Sequence, residues 1–306
     1  DLENKINELK ELSTKDGLDF IGEIKTLNKK FKLKQREVFK NLSRWQKTQL
    51  ARHQNRPQTL DYINMITTDF VELHGDRYYG DGMTIVGGLA KLEGIPVVIL
   101  GHQKGKDTKE KILRNFGMAS PEDFRKSMRI MKLAEKFNKP IITFLDTAGA
   151  YPGIGAEERG QAEAIAKNLF EMSGLKVPVI TVVIGEGGSG GALGIGVANK
   201  VLMLEYSVYS VISPEGCAAI LWKDGERNKD AAEALCLTSK DLMEFGVIDE
   251  IIKEPIGGAH QNPVQTGNIM RRVLRRHLKE AMSLSPEECV EQRYQKFRKI
   301  GSQYIT

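Results

Sequence analysis

The spacing of apolar residues along this chain changes near residue 83. Upstream, apolar side chains recur every three or four positions, the spacing that places them on one face of a helix. Downstream, short apolar runs rich in Val and Ile alternate with segments of helical spacing, which is typical of buried strands joined by helices. The pattern therefore predicts an α/β domain that follows a helical extension.

The first 50 residues predict a helical hairpin or a short coiled coil. They are rich in Lys and Glu, and a break with a helix cap is expected around Gly17. The apolar stripe of these helices has to pack against something, and both the body of this chain and a second subunit are candidates. The stripe consists of Leu2, Ile6, Leu9, Leu12, Phe20, Ile24, Leu27, Phe31, Val38, Leu42 and Trp45.

A further helix is predicted after Pro57, with Thr59 as its cap. Its apolar face is expected to continue through Phe70 and Leu73, before a charged turn that begins at His74. From residue 83 to 252 the chain then alternates between predicted strands and helices. Strands are predicted at 84–90, 95–101, 140–145, 177–184, 200–204, 207–212 and 247–252. Helices are predicted at 120–137, 156–172, from 213, and at 228–245, the last with a junction at Thr238-Ser239.

A loop at 253–268 and a basic C-terminal helix are predicted to complete the chain. We therefore expect three parts. Residues 1–55 form a helical extension, residues 56–260 an α/β domain, and residues 261–306 a helical tail.

Five glycines crowd the junction between the predicted strand at 177–184 and the segment that follows it. Glycine lets a backbone approach a ligand closely, and the first N–H groups of a helix have no intrahelical partner. A strand, a glycine turn and a helix start in this order predict a site whose backbone donors bind a negative oxygen. The alternative is a close crossing of helix and sheet that requires small residues. The glycines are Gly185, Gly187, Gly188, Gly190 and Gly191.

A second glycine-bearing turn, residues 146–153, follows the predicted strand at 140–145. The N–H groups around Gly149 and around Gly190 can meet at one cleft, where they would stabilise a developing oxyanion. The sequence shows no Ser–His–Asp arrangement, no nucleophile elbow around Ser189 and no dinucleotide-binding fingerprint. The predicted chemistry therefore rests on backbone donors.

The composition favours a globular protein without a disulfide framework or a membrane span. The chain has 306 residues, 41% of them hydrophobic and 28% charged, which is enough for one large core domain with extensions. A formal net charge of +5 does not by itself predict a polyanionic partner. The three cysteines form no C-x-x-C pair, so neither a disulfide framework nor a zinc site is expected in this chain. With no apolar run of membrane-spanning length and no signal peptide, we expect a soluble protein of a reducing compartment.

Two basic stretches suggest further interactions. The first, 104–114, follows a predicted strand end, so Lys104 and Lys106 are candidate contacts for the phosphates of a coenzyme, although such a run more often forms a solvated surface. The second, 271–279, carries four arginines on the last predicted helix. No aromatic residues alternate with these arginines, so nucleic acid is not the expected partner.

Four long motifs resemble the alpha subunit of the carboxyltransferase of bacterial and plastid acetyl-CoA carboxylase. They are GHQKGKDTKEKILRNFGM at 101–118, DTAGAYPG at 146–153 with EERGQ at 157–161, GEGGSGGA at 185–192, and YSVISPEG at 209–216. The resemblance extends from LDYI at 60–63 to RYQKFRKIG at 293–301. Ala148 stands where the family motif has proline, which loosens the turn but keeps its glycines and its donors.

The resemblance implies a crotonase-like fold, a spiral of ββα units. It implies an enzyme that transfers a carboxyl group from carboxybiotin, held on the biotin carboxyl carrier protein, to acetyl-CoA, giving malonyl-CoA for fatty-acid synthesis. It also implies a complex of two alpha and two beta chains that works with biotin carboxylase, in which the beta chain supplies a zinc ribbon and most of the acyl-CoA site. The implied location is the cytoplasm or the plastid stroma, with no membrane partner.

The resemblance also assigns roles within the two turns. Gly190 and Gly191 match the family's oxyanion donors. The predicted contacts of carboxybiotin are Gly149, Ala150, Tyr151, Gly187, Gly188 and Ala192. If the backbone at Gly191 faces the ureido oxygen of biotin, Gly191→Val abolishes carboxyl transfer and leaves folding largely intact.

Two other functions remain as alternatives. A stand-alone crotonase-type acyl-CoA hydratase or isomerase would need carboxylates beside the acyl chain, and Glu157, Glu158 and Glu215 are the candidates near the turns. A non-enzymatic regulator would bind nucleic acid through the two basic stretches.

Overall fold

The computed structural model describes residues 9, 12 and 20–302. The contacts within the chain divide it into two compact units, Asp1–Ser43 and Arg44–Thr306. The predicted boundaries at 55 and 260 differ from this division, because residues 44–55 and the C-terminal helices both lie in the larger unit. Arg44, for example, pairs with Glu233 and with Asp241.

Within the described residues, the smaller unit contains helix α1 (Ile21–Lys40). Its apolar residues recur at the predicted helical spacing, and the helix buries none of its residues. Most of the first arm of the predicted hairpin lies outside the described residues, so the hairpin stays a prediction.

The larger unit is built on a sheet that has eight strands within the described residues. The strands are β1 (Thr68–Glu72), β2 (Ile85–Leu92), β3 (Ile95–His102), β4 (Ile141–Thr147), β5 (Val179–Gly188), β6 (Lys200–Leu204), β7 (Val208–Ser210) and β8 (Glu250–Ile252). Their order is β1-β2-β3-β4-β5-β6-β8, and β7 pairs with the end of β5. The first three strands are antiparallel, whereas β3, β4, β5, β6 and β8 run parallel. Strands β4 and β5 are buried along their whole length, as parallel strands covered on both faces should be.

Helices cover both faces of this sheet. On one face, Phe124 and Met131 join Met172 in a core with the strands. On the other face, Tyr62 and Leu274 contribute to a second core. The helices are α2 (Arg44–Ala51), α3 (Thr59–Ile66), α4 (Thr108–Leu113), α5 (Pro121–Lys136), α6 (Ile154–Glu158), α7 (Gln161–Gly174), α8 (Ser189–Leu193), α9 (Pro214–Trp222), α10 (Asn228–Leu235), α11 (Ser239–Glu244), α12 (Pro263–Ala281) and α13 (Pro286–Lys299).

Several of the predicted elements are wrong in part. The helix that starts at Thr59 ends at Ile66, and the apolar run after it is strand β1. This run is too short for its apolar spacing to distinguish a helix from a strand, and its pairing with β2 makes it a strand. The helix predicted at 156–172 is divided at Gly160, whose φ of 81° interrupts it between α6 and α7. Helix α12 begins inside the predicted loop, where the Asn262 side chain accepts the Gln265 N–H.

The parallel arrangement brings together the carboxyl ends of β3, β4 and β5. Lys104 follows the first of these strands, Asp146 lies at the end of the second, and the glycine cluster ends the third. In open α/β sheets this edge is where ligands bind, so the sheet places both predicted turns at the expected position.

Candidate functional site

The two glycine turns lie in direct contact. Strands β4 and β5 pair in parallel up to Thr147 and Gly187, so the turns that follow them start side by side. A Cβ built on Gly191 would lie 2.4 Å from the carbonyl carbon of Gly149 and 2.5 Å from the nitrogen of Ala150. Position 191 must therefore be glycine for the two turns to meet.

The predicted site residues divide into a buried layer and an open layer. Gly187, Gly188, Gly191 and Ala192 are buried. A Cβ on Gly188 would lie 2.2 Å from the Ala148 carbonyl oxygen, and one on Gly187 would meet the Tyr209 ring at 2.7 Å. The open layer comprises the half-buried Gly149, Ala150, Tyr151 and Gly190.

Gly190 faces a groove. A Cβ built there would meet only Ile165, at 3.7 Å, and one built on Gly149 would meet nothing within 4 Å. The groove has a volume of about 340 Å³ and is lined mainly by apolar side chains, among them Leu193 and Val211. Tyr209 also lines it, and burial raises the pKa of this phenol to about 12, so the side chain is uncharged at neutral pH. An apolar ring with one polar atom directed at the turn would fit this space.

The start of α8 lies beside the groove, which Ser189 and Gly190 line, while Gly191 is buried behind them. Ser189 adopts a φ of 49°, the left-handed conformation, as the chain turns from β5 into the helix. A helix leaves its first N–H groups without intrahelical partners, and here these groups belong to Ser189, Gly190 and Gly191. The predicted strand and helix start are present, but the predicted turn between them is wrong in extent: β5 continues through Gly185, Gly187 and Gly188, and the chain changes direction only at Ser189.

A network of charged side chains lies behind the turns. Lys104 Nζ is 2.7 Å from Asp146 Oδ1 and 3.6 Å from Glu186 Oε2. Arg52 bonds the other oxygen of Glu186 at 2.7 Å and Glu215 at 2.6 Å. The backbone N–H of Glu186 donates to Asp146 Oδ1 at 3.0 Å, which links the ends of β4 and β5.

The two lysines proposed as phosphate contacts differ in surroundings. Burial acts to lower the pKa of Lys104, but Asp146 and Glu186 outweigh it and hold the pKa above its usual value. A phosphate at this ammonium would have to approach two carboxylates. Lys106 is exposed on the surface and pairs with Asp61 at 2.5 Å. It lines a second cavity, of about 460 Å³, together with Asn55, Arg56 and Asn64.

The second turn is fixed by local hydrogen bonds. Thr147 Oγ1 donates to the Gly149 carbonyl at 2.8 Å and accepts the Gly149 N–H at 3.1 Å. The Tyr151 N–H donates to the Ala119 carbonyl, and the Gln161 amide bonds the carbonyls of both Tyr151 and Ala119. These bonds hold Gly149, Ala150 and Tyr151 at the rim of the site.

A buried imidazole lies beneath the turns. His102 ends β3, is inaccessible to solvent, and has no hydrogen-bond partner for either ring nitrogen among the described residues. Burial lowers the pKa of His102 to about 4, against the opposing charge of Asp146. The ring is therefore neutral at physiological pH.

The carboxylates that a hydratase would use are poorly placed for acid–base work. Burial acts to raise the pKa of Glu215, but Arg52 outweighs it and holds the pKa below its usual range, so this group is ionised and paired. Glu157 and Glu158 are exposed on α6. On the basic helix α12, Arg275 pairs with Glu93 at 2.9 Å, which occupies part of the proposed nucleic-acid surface.

The part of the chain that the structure describes contains neither a cluster of metal ligands nor a membrane-spanning helix. No group of three or more His, Cys, Asp or Glu side chains there is arranged to hold a metal ion. No helix of residues 9, 12 and 20–302 combines the length and the apolar character needed to cross a membrane.

Comparison with known proteins identifies the family. The model of the family described as acetyl co-enzyme A carboxylase carboxyltransferase-like matches residues 1–301. The chain belongs to this carboxyltransferase family. The predicted family and the predicted carboxyl transfer are thereby confirmed, and acyl-CoA hydration is not supported.

Individual relatives agree with this assignment. The chain is 61% identical over 301 residues to the acetyl-coenzyme A carboxylase carboxyl transferase subunit alpha of Geobacter metallireducens, covering 98% of this chain and 94% of the relative. It is 57% identical to the subunit of the same name from Bacillus cytotoxicus, covering 98% and 93%.

Solved structures confirm the crotonase-like fold. Transcarboxylase 12S with methylmalonyl-coenzyme A and methylmalonic acid bound superposes with a TM-score of 0.61 at 21% identity, covering 74% of this chain and 42% of that chain. The chain thus spans less than half the length of that protein. A Pseudomonas malonate decarboxylase heterotetramer in complex with coenzyme A gives a TM-score of 0.64 at 15% identity, covering 81% and 96%. At these identities the likeness shows the fold alone.

Sequence reasoning missed the charged network behind the turns. Asp146 and Glu186 stand at the ends of runs that are otherwise apolar, and a carboxylate at the end of a buried strand was the available signal. Arg52 gave no signal, because it lies in a mixed segment far away in the sequence from both acids.

Proposed function

We propose that this chain is the alpha subunit of an acetyl-CoA carboxylase carboxyltransferase, which moves a carboxyl group from carboxybiotin to acetyl-CoA and yields malonyl-CoA. The observation that carries the proposal is the contact between the two glycine turns beside an open apolar groove. Relatives at 57–61% identity bear the name of that subunit, which supports the same conclusion.

Backbone donors perform the chemistry in this proposal. Carboxybiotin, when bound, would supply the carboxyl group and a ureido oxygen that gains negative charge. The N–H groups of Gly190 and Gly191 donate to that oxygen, and each well-placed donor of this kind contributes about 3 kcal/mol of transition-state stabilisation. Gly149, Ala150 and Tyr151 form the opposite rim, while Gly187, Gly188 and Ala192 act from the buried layer by shaping the turn.

The groove fits an apolar bicyclic ring. Its apolar lining offers few polar groups that would compete with the donors, and Gly190 leaves open the space that a side chain would fill. A bound ring that displaces water from the groove would strengthen the hydrogen bonds that the backbone donates. The neutral phenol of Tyr209 adds no charge that would compete with the developing anion.

We propose that the complete site is shared with a beta subunit. In the proposed complex, two alpha and two beta chains bind acetyl-CoA, mainly through the zinc-bearing beta chain, and a biotin carboxyl carrier protein charged by biotin carboxylase delivers the carboxyl group. The proposed setting is fatty-acid synthesis in the cytoplasm or the plastid stroma. Lys106, exposed on the surface, is retained as the proposed contact for coenzyme phosphates.

Reconstitution tests the proposal. The purified chain is mixed with a zinc-ribbon beta subunit, and decarboxylation of malonyl-CoA is measured with and without biotin. Biotin-dependent turnover by the mixture, and none by either chain alone, is the expected result. Hydration of an enoyl-CoA by this chain alone, or a mixture without biotin-dependent turnover, would contradict it.

A further inference from the structure

The position of Lys104 suits an ion pair that links the two turns better than it suits contact with a ligand. Its ammonium lies 2.7 Å from Asp146 Oδ1 and 3.6 Å from Glu186 Oε2. Asp146 belongs to β4 and Glu186 to β5, and each lies just before the turn that ends its strand. One cation therefore touches both strands at the level where the turns begin.

The two carboxylates need that cation. Asp146 and Glu186 are 4% and 8% exposed, and Asp146 Oδ1 also accepts the Glu186 N–H at 3.0 Å. Two negative charges that both lie within 3.6 Å of one ammonium, and that have little contact with solvent, repel each other strongly. Without Lys104, Arg52 would still neutralise Glu186, but no other described cation lies within ion-pair distance of Asp146.

The backbone around Lys104 is shaped to admit it. A Cβ on Gly117 would lie 2.6 Å from Lys104 Cγ, and a Cβ on Gly185 would lie 2.4 Å from Asp146 Oδ1. Both glycines clear the space that the lysine and its partner occupy. The phosphate of a coenzyme would have to displace a pairing for which the surrounding chain is built.

We propose that Lys104 is a positioning residue, which holds Asp146 and Glu186 together and so keeps the Gly149 and Gly191 turns in contact. The inference rests on the proposed carboxyl transfer, because Gly190 and Gly191, which are the backbone donors in that reaction, lie in one of these turns. It replaces the coenzyme-phosphate interpretation of Lys104 and leaves that of Lys106 untouched.

The experiment compares two substrates. Lys104→Met is assembled with the beta subunit, and biotin-dependent decarboxylation is measured with malonyl-CoA and with malonyl-pantetheine, which lacks the nucleotide and its phosphates. We expect kcat to fall about 100-fold with both substrates and KM to stay within about two-fold, since small displacements of catalytic groups cost this much. A rise in KM confined to malonyl-CoA would overturn the inference in favour of a phosphate contact.

Lys91→Met is the matched control. Lys91 pairs with Asp69 at 2.9 Å on the β1–β2 edge, outside the site, and both side chains are more than half exposed. Its replacement also removes one ion-paired lysine, and wild-type kinetics are expected. If the wild-type complex itself shows no biotin-dependent turnover, the proposed function fails; if only the Lys104 prediction fails, the function stands.

A second variant tests the charge argument directly. In Lys104→Met/Asp146→Asn the amide oxygen can still accept the Glu186 N–H, while the unpaired negative charge is gone. We expect kcat of this double variant to be at least about 10-fold higher than kcat of Lys104→Met. Such a gain would be the non-additive effect expected for two residues in one charge network. A double variant that is no faster than Lys104→Met would overturn the inference. It also serves as the test if Lys104→Met does not assemble.

Discussion

Each end of the central strands holds a side-chain cation, half-buried Lys104 at one end and buried Arg293 at the other, and the partners of the two cations differ. At the carboxyl ends, Lys104 lies between the carboxylates of Asp146 and Glu186. At the amino ends, Arg293 of α13 is 1% exposed and bonds neutral oxygens, the carbonyls of Met172 and Leu175 among them. No carboxylate within the described residues lies at salt-bridge distance from Arg293.

This difference indicates that the cation at the amino ends stabilises the fold, whereas the cation at the carboxyl ends arranges the site. Arg293 satisfies carbonyls that α7 leaves open at its C-terminus, together with the Val177 carbonyl before β5 and Asn199 Oδ1. It joins the C-terminal helix to the sheet. Lys104 instead balances the charges of Asp146 and Glu186, and we propose that this pairing holds the two turns in the arrangement that catalysis needs. We therefore expect substitutions at the amino ends to change stability, and those at the carboxyl ends to change turnover.

Gly191→Val should have the largest effect on turnover. Its side chain would meet the backbone of Gly149 and Ala150, at 2.4 and 2.5 Å, rather than open space. We expect kcat to fall by about 100- to 1,000-fold through loss of the donor geometry, and the free energy of unfolding to fall by roughly 1–3 kcal/mol through overpacking. This corrects the expectation from the sequence that folding would be largely untouched.

The control for this variant is Gly190→Ala, at a position where the structure leaves space. Its free energy of unfolding should change by no more than about 1 kcal/mol, since the new Cβ makes only an ordinary contact with Ile165. Denaturant unfolding and the decarboxylation assay measure both variants. Equal destabilisation by the two substitutions would show that the packing at Gly191 is not as described.

Arg293→Met tests the other end of the strands. The substitution leaves the buried carbonyls without their donor and should lower the free energy of unfolding by roughly 3–5 kcal/mol. Assays below the unfolding transition should give a kcat near that of wild type, because the carboxyl ends are undisturbed. A large loss of kcat in a folded Arg293→Met protein would contradict the proposed division of roles.

His102 predicts how stability depends on pH. The folded pKa of about 4 lies below the usual 6.5, so between these values the unfolded chain binds a proton that the folded chain does not. Stability should therefore decrease as the pH falls from 6.5 towards 4, by roughly 3 kcal/mol relative to His102→Gln. Burial raises the pKa of Asp123 to about 6, which acts in the opposite direction in this window. Both proteins retain Asp123, so the difference between their pH profiles isolates His102; parallel profiles would refute the assignment.

Lys106→Met should have the smallest effect. If Lys106 contacts the phosphates of the coenzyme, KM for malonyl-CoA rises a few-fold, in keeping with an exposed ion pair that contributes about 1 kcal/mol or less. KM for malonyl-pantetheine and both kcat values should stay at wild-type levels. An unchanged KM for malonyl-CoA would remove Lys106 from the site.

Much of this architecture could be predicted from local sequence. The apolar runs predicted β2, β3, β4 and β5, and the cap and proline at Ser120-Pro121 predicted the start of α5, because these signals depend only on near neighbours. Strand β1 was missed because the residues around Phe70 fit both a helical and an extended period. Only pairing with β2, a tertiary interaction, decides between them.

The positions of the two backbone turns of the site could be predicted from the sequence, but the contacts of its side chains could not. The glycine turns follow from the strand ends, and their meeting follows from the parallel sheet. The division into buried Gly191 and open Gly190 does not, because it depends on where the neighbouring turn lies. The partners of Lys104 also come from distant strands, so a lysine after a strand end was interpreted as free to bind a phosphate.

The most direct test of the account is a structure of this chain with its beta subunit and biotin. We predict that the ureido oxygen lies about 2.7–3.1 Å from the backbone nitrogens of Gly190 and Gly191, at the groove lined by Leu193, Tyr209 and Val211. A ureido oxygen bound elsewhere, with these two N–H groups directed away from it, would contradict the account.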